Sequence, residues 1–265
     1  MKRKALGYNV LLGILLVGAL VLVSSCINDD QDSCGLSVRF QYTYNIKDAD
    51  AFPVEVKSVN VWVFDQNGIL VRMAQDSQNS FGTGYAMKIT GLKAGKYTLV
   101  CFARDRQGVD ESKDFALTKL TTGVSTLKDL NARLNRNADN TCNTDLAALY
   151  NGTLDVDYSG HPQTVTVSLM KLTKKFRVII MPYAGTADLS ADNFGFMIKG
   201  SAGWLDYKGD RYQTDSVTYT PYSQNIVSDP SASGTETPVS RAVVADLNTS
   251  RLFYDANSRL IITDK

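Results

Sequence analysis

Apolar and polar residues alternate along much of this chain with a period of two, the pattern of strands that bury one face and wet the other. From Leu36 the apolar set is Leu36, Val38, Phe40, Tyr42 and Tyr44, with Ser37, Arg39, Gln41 and Thr43 between them, which predicts a strand running to Tyr44. Val59, Val61 and Val63 begin a second strand in which Trp62 occupies the opposite face. Asp65-Gln66-Asn67-Gly68 then predicts a hairpin turn, with Asn67 and Gly68 at positive φ, before apolar residues resume at Ile69-Leu70-Val71. Met87-Lys88-Ile89 and the alternating run 97–103 add two more strands, and in the latter Cys101 shares a face with Tyr97, Leu99 and Ala103 as a small core residue. Between residues 121 and 151 the period changes. Leu127, Leu130 and Leu134 lie three and four apart, which predicts one short helix inserted among polar loops. Strand alternation returns at 164–169 and 175–180, and the boundary between two domains falls near Met170. Short apolar runs at 194–198, 217–220, 241–247, 252–254 and 259–262, separated by turn-rich sequence and a polar loop at 229–238, complete the second half. The pattern predicts an all-β protein of two tandem sandwiches, residues 35–170 and 171–265, with the helical insertion in the first.

The amino terminus departs from this pattern. Lys2, Arg3 and Lys4 precede an apolar run over residues 11–23, and Ser24, Ser25 and Cys26 follow directly. That order is the layout of a secretion signal, and the run of 13 residues is short of the roughly 20 that span a bilayer. Small residues immediately before a cysteine resemble the bacterial lipoprotein signal, so residues 1–25 are expected to be cleaved and Cys26 to carry a covalent lipid. Multiple acyl chains on that residue would hold the product stably in a membrane. Asp29, Asp30 and Asp32 fall within the next six residues, making 26–34 an acidic tether. Acidic residues just after the lipid cysteine resemble the surface-display signal of Bacteroidetes lipoproteins; their plainer reading is a solvated linker.

Charge and chemistry narrow the function classes. Loss of the three cations Lys2, Arg3 and Lys4, with no carboxylate among residues 1–25, takes the net charge from +1 to −2, so no basic surplus remains to recruit nucleic acid. The mature chain is long enough for real cores. Beyond Cys26 there are Cys34, Cys101 and Cys142, an odd number that permits one internal disulfide; a Cys34 to Cys142 bridge is a candidate because both lie near loop-like sequence. The single histidine, His161, sits in a Gly-His-Pro loop with no nucleophile elbow or metal-ligand spacing around it, and no enzyme, metal, cofactor or small-molecule substrate is expected. Asp155 and Asp157 share a strand face and are weighed as a calcium site against a solvated strand edge. Trp62, Trp204, Tyr207 and Tyr212 are weighed as a sugar platform against ordinary packing.

Several segments carry a resemblance when taken in order. The glycine-led "GLKAGKYTLVCFA" is similar to a strand of small transthyretin-like sandwiches. Together with the lipid cysteine, the acidic tether, residues 34–44, "VNVWVFDQNG", "TVSLMKLTKKFRVII", "FGFMIKG", "WLDY", "VTYTPY" and "RLFYDANSRLII", it resembles the FimB-like fimbrial anchor (minor-fimbrium anchor) family of Bacteroidetes. The resemblance implies a lipoprotein of two transthyretin-like sandwiches, held by its lipid in the outer membrane and facing the cell exterior. Its partners would be fimbrial shaft subunits joined by strand complementation, with a part in setting fimbrial length. Members of that family usually continue past the position of Lys265, and the second sandwich reads as short of strands, as in a truncated chain. A surface glycan-binding or adhesive lipoprotein shares the anchor and the sandwiches; two or more aromatics bared on one face would favour it.

Overall fold

The computed structural model describes residues 35–181, 189–213, 215–228 and 241–265. In the first half, β1 (Leu36–Gln41), α1 (Phe52–Glu55), β2 (Ser58–Asp65), β3 (Leu70–Ser77), β4 (Ala86–Ile89) and β5 (Gly95–Arg104) are followed by β6 (Phe115–Leu117), β7 (Asn131–Leu134), β8 (Thr141–Cys142), β9 (Leu149–Tyr158) and β10 (Gln163–Ser168). Then come β11 (Met170–Lys171), β12 (Lys174–Ile180), β13 (Phe194–Ser201), β14 (Trp204–Asp206), β15 (Val217–Tyr219), β16 (Ser223–Ser228), β17 (Arg241–Thr249) and β18 (Arg259–Asp264). The fold is all-β, as the alternation predicts. The strands form five sheets, in the orders β10-β1-β4, β11-β9-β5-β2-β3, β14-β7-β6, β18-β13-β15-β8 and β12-β17-β16.

The first two sheets enclose one core. Leu36, Val38 and Phe40 of β1 meet Val59, Val61 and Val63 of β2 and Leu99, Cys101 and Ala103 of β5. Phe40, Phe52, Phe81 and Tyr85 extend this core as a run of rings 4.5 to 5.3 Å apart, which is how the single turn α1 is held against the sandwich. Two local expectations need correction. β1 ends at Gln41, so Tyr44 leaves the strand and stands 81% exposed. The β2–β3 turn spans residues 66–69, in which Gly68 alone has positive φ, at 74°; Asp65 Oδ1 accepts the Asn67 and Ile69 N–H groups and closes it.

Strands β2 and β5 bury both faces. Trp62, Phe64, Val100 and Phe102 point away from the first core into a second one, with Leu134, Cys142, Phe196, Leu205, Tyr219 and Leu247. This explains the unbroken apolar run at the end of β2: a sheet covered on both sides gains from apolar residues at every position.

Much of the second core comes from the connection between β5 and β9. The predicted helix there is a single 3₁₀ turn, Leu127–Asp129, and Leu134 belongs to a strand. Leu130, Ala132 and Leu134 are buried in alternation, so the spacing that resembled a helix is a strand pattern preceded by one turn. β7 pairs antiparallel with β14 and β8 pairs parallel with β15, so two sheets combine strands from both halves of the chain. Arg136 Nη1 donates to both oxygens of Asp215 at 2.8 and 2.9 Å, and Trp204 Nε1 to Asn131 Oδ1 at 2.9 Å. At the root of the connection, buried Arg104 donates to the Phe115 carbonyl and to Glu111, and lies 3.8 Å from Asp114.

Candidate functional site

Cys26, Asp29, Asp30, Asp32 and Cys34 lie outside the described residues, as does the whole 229–238 loop. Cys142 is buried on β8 as a free thiol, its pKa raised by burial, and its candidate disulfide partner Cys34 is not among the described positions. Cys101 is likewise a buried free thiol in the first core. His161 is exposed, and its backbone N–H donates to Ser159 Oγ at 3.4 Å. Asp155 and Asp157 are exposed on one face of β9; Asp155 accepts from Thr98 Oγ1 at 2.7 Å and Asp157 is paired across the sheet with Lys96. Among the described residues no group of three or more His, Cys, Asp or Glu is arranged to hold a metal ion.

The four aromatics do not assemble into one surface. Trp62 is in the second core and 4% exposed. Trp204 is covered by Tyr212, stacked at a centroid distance of 4.8 Å, and by the Arg133 guanidinium at 4.7 Å. Tyr207 is half-buried, with the Lys208 ammonium over its ring. These contacts consume the ring faces that a sugar would need.

The feature that does stand open is the flank of the second sandwich. In the three-stranded sheet the central β17 is sealed on its inner face, with Val243, Ala245 and Leu247 all at 0% exposure. Its neighbours are not. Phe176, Val178 and Ile180 of β12 share that face and are half-buried, while Ile226 of β16 lies opposite Val243 and is exposed. In the facing sheet, Leu260 and Ile262 of β18 lie opposite buried Ile198 and Phe196 and point the same way, yet are 47% and 46% exposed. Among the described residues β12, β16 and β18 each have a ladder partner on one side only. Unpaired strand edges beside half-covered apolar residues are the geometry that another strand can complete.

Residues 29–265 match the model of the family described as fimbrillin-A associated anchor proteins Mfa1 and Mfa2. The chain belongs to this anchor family. A Bacteroides thetaiotaomicron structure provisionally assigned to polysaccharide binding is 31% identical, with a TM-score of 0.74 over 88% of this chain and 76% of that one. A Bacteroides ovatus structure provisionally assigned as an adhesin is 26% identical, with a TM-score of 0.72 over 87% and 74%. The fimbrial anchor protein Mfa2 of Porphyromonas gingivalis shares the fold at 19% identity, with a TM-score of 0.63 over 87% and 78%. A comparison with curated proteins yields no match. Fimbrial anchor proteins are structural proteins and not a family of enzymes, and membership implies a surface or outer-membrane-associated location. Among the described residues no helix is long and apolar enough to cross a membrane.

Sequence reasoning named the anchor family but missed the open flank. The half-exposed positions of β12 and β18 carry the same Phe, Val, Leu and Ile as sealed positions, so composition does not separate them. The difference is visible only in which strands lie at sheet edges.

Proposed function

We propose that this protein is the lipid-anchored base of a fimbrium on the outer membrane, facing the cell exterior, and that it holds the shaft by accepting a strand at the open flank of its second sandwich. The observation that carries this reading is that, among the described residues, the edges of β12 and β18 are unpaired beside inward apolar residues, Val178, Leu260 and Ile262, that are half-covered. An added strand would supply backbone hydrogen bonds for affinity and alternate side chains for specificity. The lipid on Cys26 forms the other end of the attachment, with Asp29, Asp30 and Asp32 in a solvated tether between membrane and sandwich. A base of this kind terminates growth at the cell and so helps set fimbrial length. Cys34 with Cys142 stays a candidate disulfide, tested by counting free thiols without reductant.

Cys26→Ala tests the whole arrangement. The variant should leave the membrane fraction, and the cells should shed fimbriae or carry abnormally long ones. Retention of the variant in the membrane overturns the lipid anchor, and normal fimbriae on cells lacking the protein overturn the base role. The second reading, a surface glycan-binding or adhesive lipoprotein, has the assignments of the two Bacteroides relatives in its favour. The covered faces of Trp62 and Trp204 count against it, and normal fimbriae with lost glycan uptake would support it.

A further inference from the structure

A groove of about 920 Å³ lies where the loop after β1 meets the start of β12 and the segment between β17 and β18. Its rim is built, not loose. Asn45 Nδ2 donates to the carbonyls of Tyr42 and Ala49, both at 2.7 Å, while Asp50 Oδ1 accepts the N–H groups of Tyr42 and Phe52 at 2.8 and 3.0 Å. This bonded loop holds Tyr44 and Ile46 outward at 81% and 100% exposure, and Phe176 with the exposed Leu252 forms the opposite apolar wall.

The groove is lined by four cations, Lys47, Lys171, Lys174 and Arg251, against two carboxylates, Asp48 and Glu55. Two have carboxylate partners. Lys171 Nζ lies 3.4 Å from Glu55, which also accepts from Tyr150, and Arg251 Nη1 is 2.9 Å from Asp210. Lys174 has no carboxylate within ion-pair distance among the described residues; its ammonium reaches only the Lys171 carbonyl, at 3.4 Å. Partial burial, then Lys171 and Arg251, push its pKa down, as expected for an unneutralised cation among like charges.

We infer that this groove receives an extended acidic peptide segment of a partner protein, its carboxylates meeting Lys174 and Lys171 and its apolar side chains packing on Ile46, Phe176 and Leu252. A cation without a counter-charge, beside preorganised and exposed apolar groups, rewards a ligand that carries both features. Concavity argues for a chain rather than a bilayer, because Lys171 and Lys174 line a recess that a flat headgroup surface does not enter. That the partner is a fimbrial subunit rests on the anchor reading.

The test uses the full chain in detergent and a fluorescent decapeptide alternating Asp with Leu, with a Lys-Leu decapeptide as control. The acidic peptide should raise the anisotropy and the basic one should not, and added salt should weaken binding. Lys174→Glu, which the exposed position of that side chain lets fold normally by circular dichroism, should weaken it roughly tenfold or more, and Lys174→Arg should retain it. Equal binding of the two peptides, or an unchanged affinity in Lys174→Glu, overturns the inference. So does binding of the Cys26→Ala chain to phosphatidylglycerol vesicles in the absence of any peptide binding. If the peptide result holds but cells carrying Lys174→Glu keep their fimbriae, the fimbrial identity of the partner falls. Shedding by Cys26→Ala cells with no peptide binding would leave the anchor reading standing and remove the groove.

Discussion

Single carboxylates reveal how this surface responds to acid. Asp76 accepts a hydrogen bond from Tyr85 Oη at 2.7 Å, and that bond holds its pKa below the usual carboxylate range. Asp129 is depressed by the Thr126 N–H and hydroxyl, and Asp246 by the bidentate Arg177 guanidinium. Each therefore contributes stability that is present above the unfolded carboxylate pKa of about 4 and is lost as pH falls through the lower folded value. Asp114 works in the opposite direction. Burial raises its pKa despite bonds from the Ala147 and Phe115 N–H groups, so its contribution is full at low pH and fades as pH rises through the folded value. The depressed group is the larger, and the urea midpoint should fall as pH drops below about 4. Asp76→Asn gives the residue-level check. Its destabilisation should be seen near neutral pH and should vanish below the folded pKa of Asp76, where both side chains are uncharged. A difference constant across pH would show that the hydrogen bond to Tyr85 does not favour the ionised form.

The elements show where sequence reasoning reaches and where it stops. Strand identity was legible in β1 and β10 from a period of two, and in β2, β5, β12, β13 and β17 from apolar runs bounded by turn-like sequence. The segment around Leu127, Leu130 and Leu134 was not. Four residues of β7 are too few to separate a period of two from one of 3.6, and one of its two ladder partners, β14, lies about seventy positions away in sequence. The cysteine and tether residues were legible as a signal, whereas the flank and the groove depend on pairings between distant strands. The docked connection can be tested through the part-buried ion pair of Arg136 with Asp215. Arg136→Ala leaves Asp215 without that partner, although Asp215 also accepts the Gly203 N–H. Amide exchange should speed up together in Asn131–Leu134 and Trp204–Asp206, which bond to one another, and stay unchanged in β1 and β10. Faster exchange in Asn131–Leu134 alone would mean that β14 does not depend on β7.

At the scale of the molecule, the two cores are not beads on a string. β2 and β5 contribute Val61, Val63, Leu99 and Cys101 to the first and Trp62, Phe64, Val100 and Phe102 to the second, so losing either core strips one face of a shared sheet. The β5–β9 connection adds a second tie, since β8 joins a sheet built from the later half of the chain and β14 joins the β6–β7 ribbon. A fimbrial base loaded from outside would carry force through this interlocked body instead of through a flexible joint. Calorimetry should then record one unfolding transition, although two sandwiches of this size joined by a simple linker would give two. Phe102→Ala empties a fully buried site in the second core at a cost of about 3–5 kcal/mol. It should lower the single midpoint by on the order of 10 °C. Fluorescence from Trp62, at the shared sheet, and from Trp204, at the β7–β14 seam, should move with it. If Phe102→Ala instead splits the trace into an early transition and one at the original midpoint, the shared sheet does not couple the cores, and force on the second sandwich would unfold it alone.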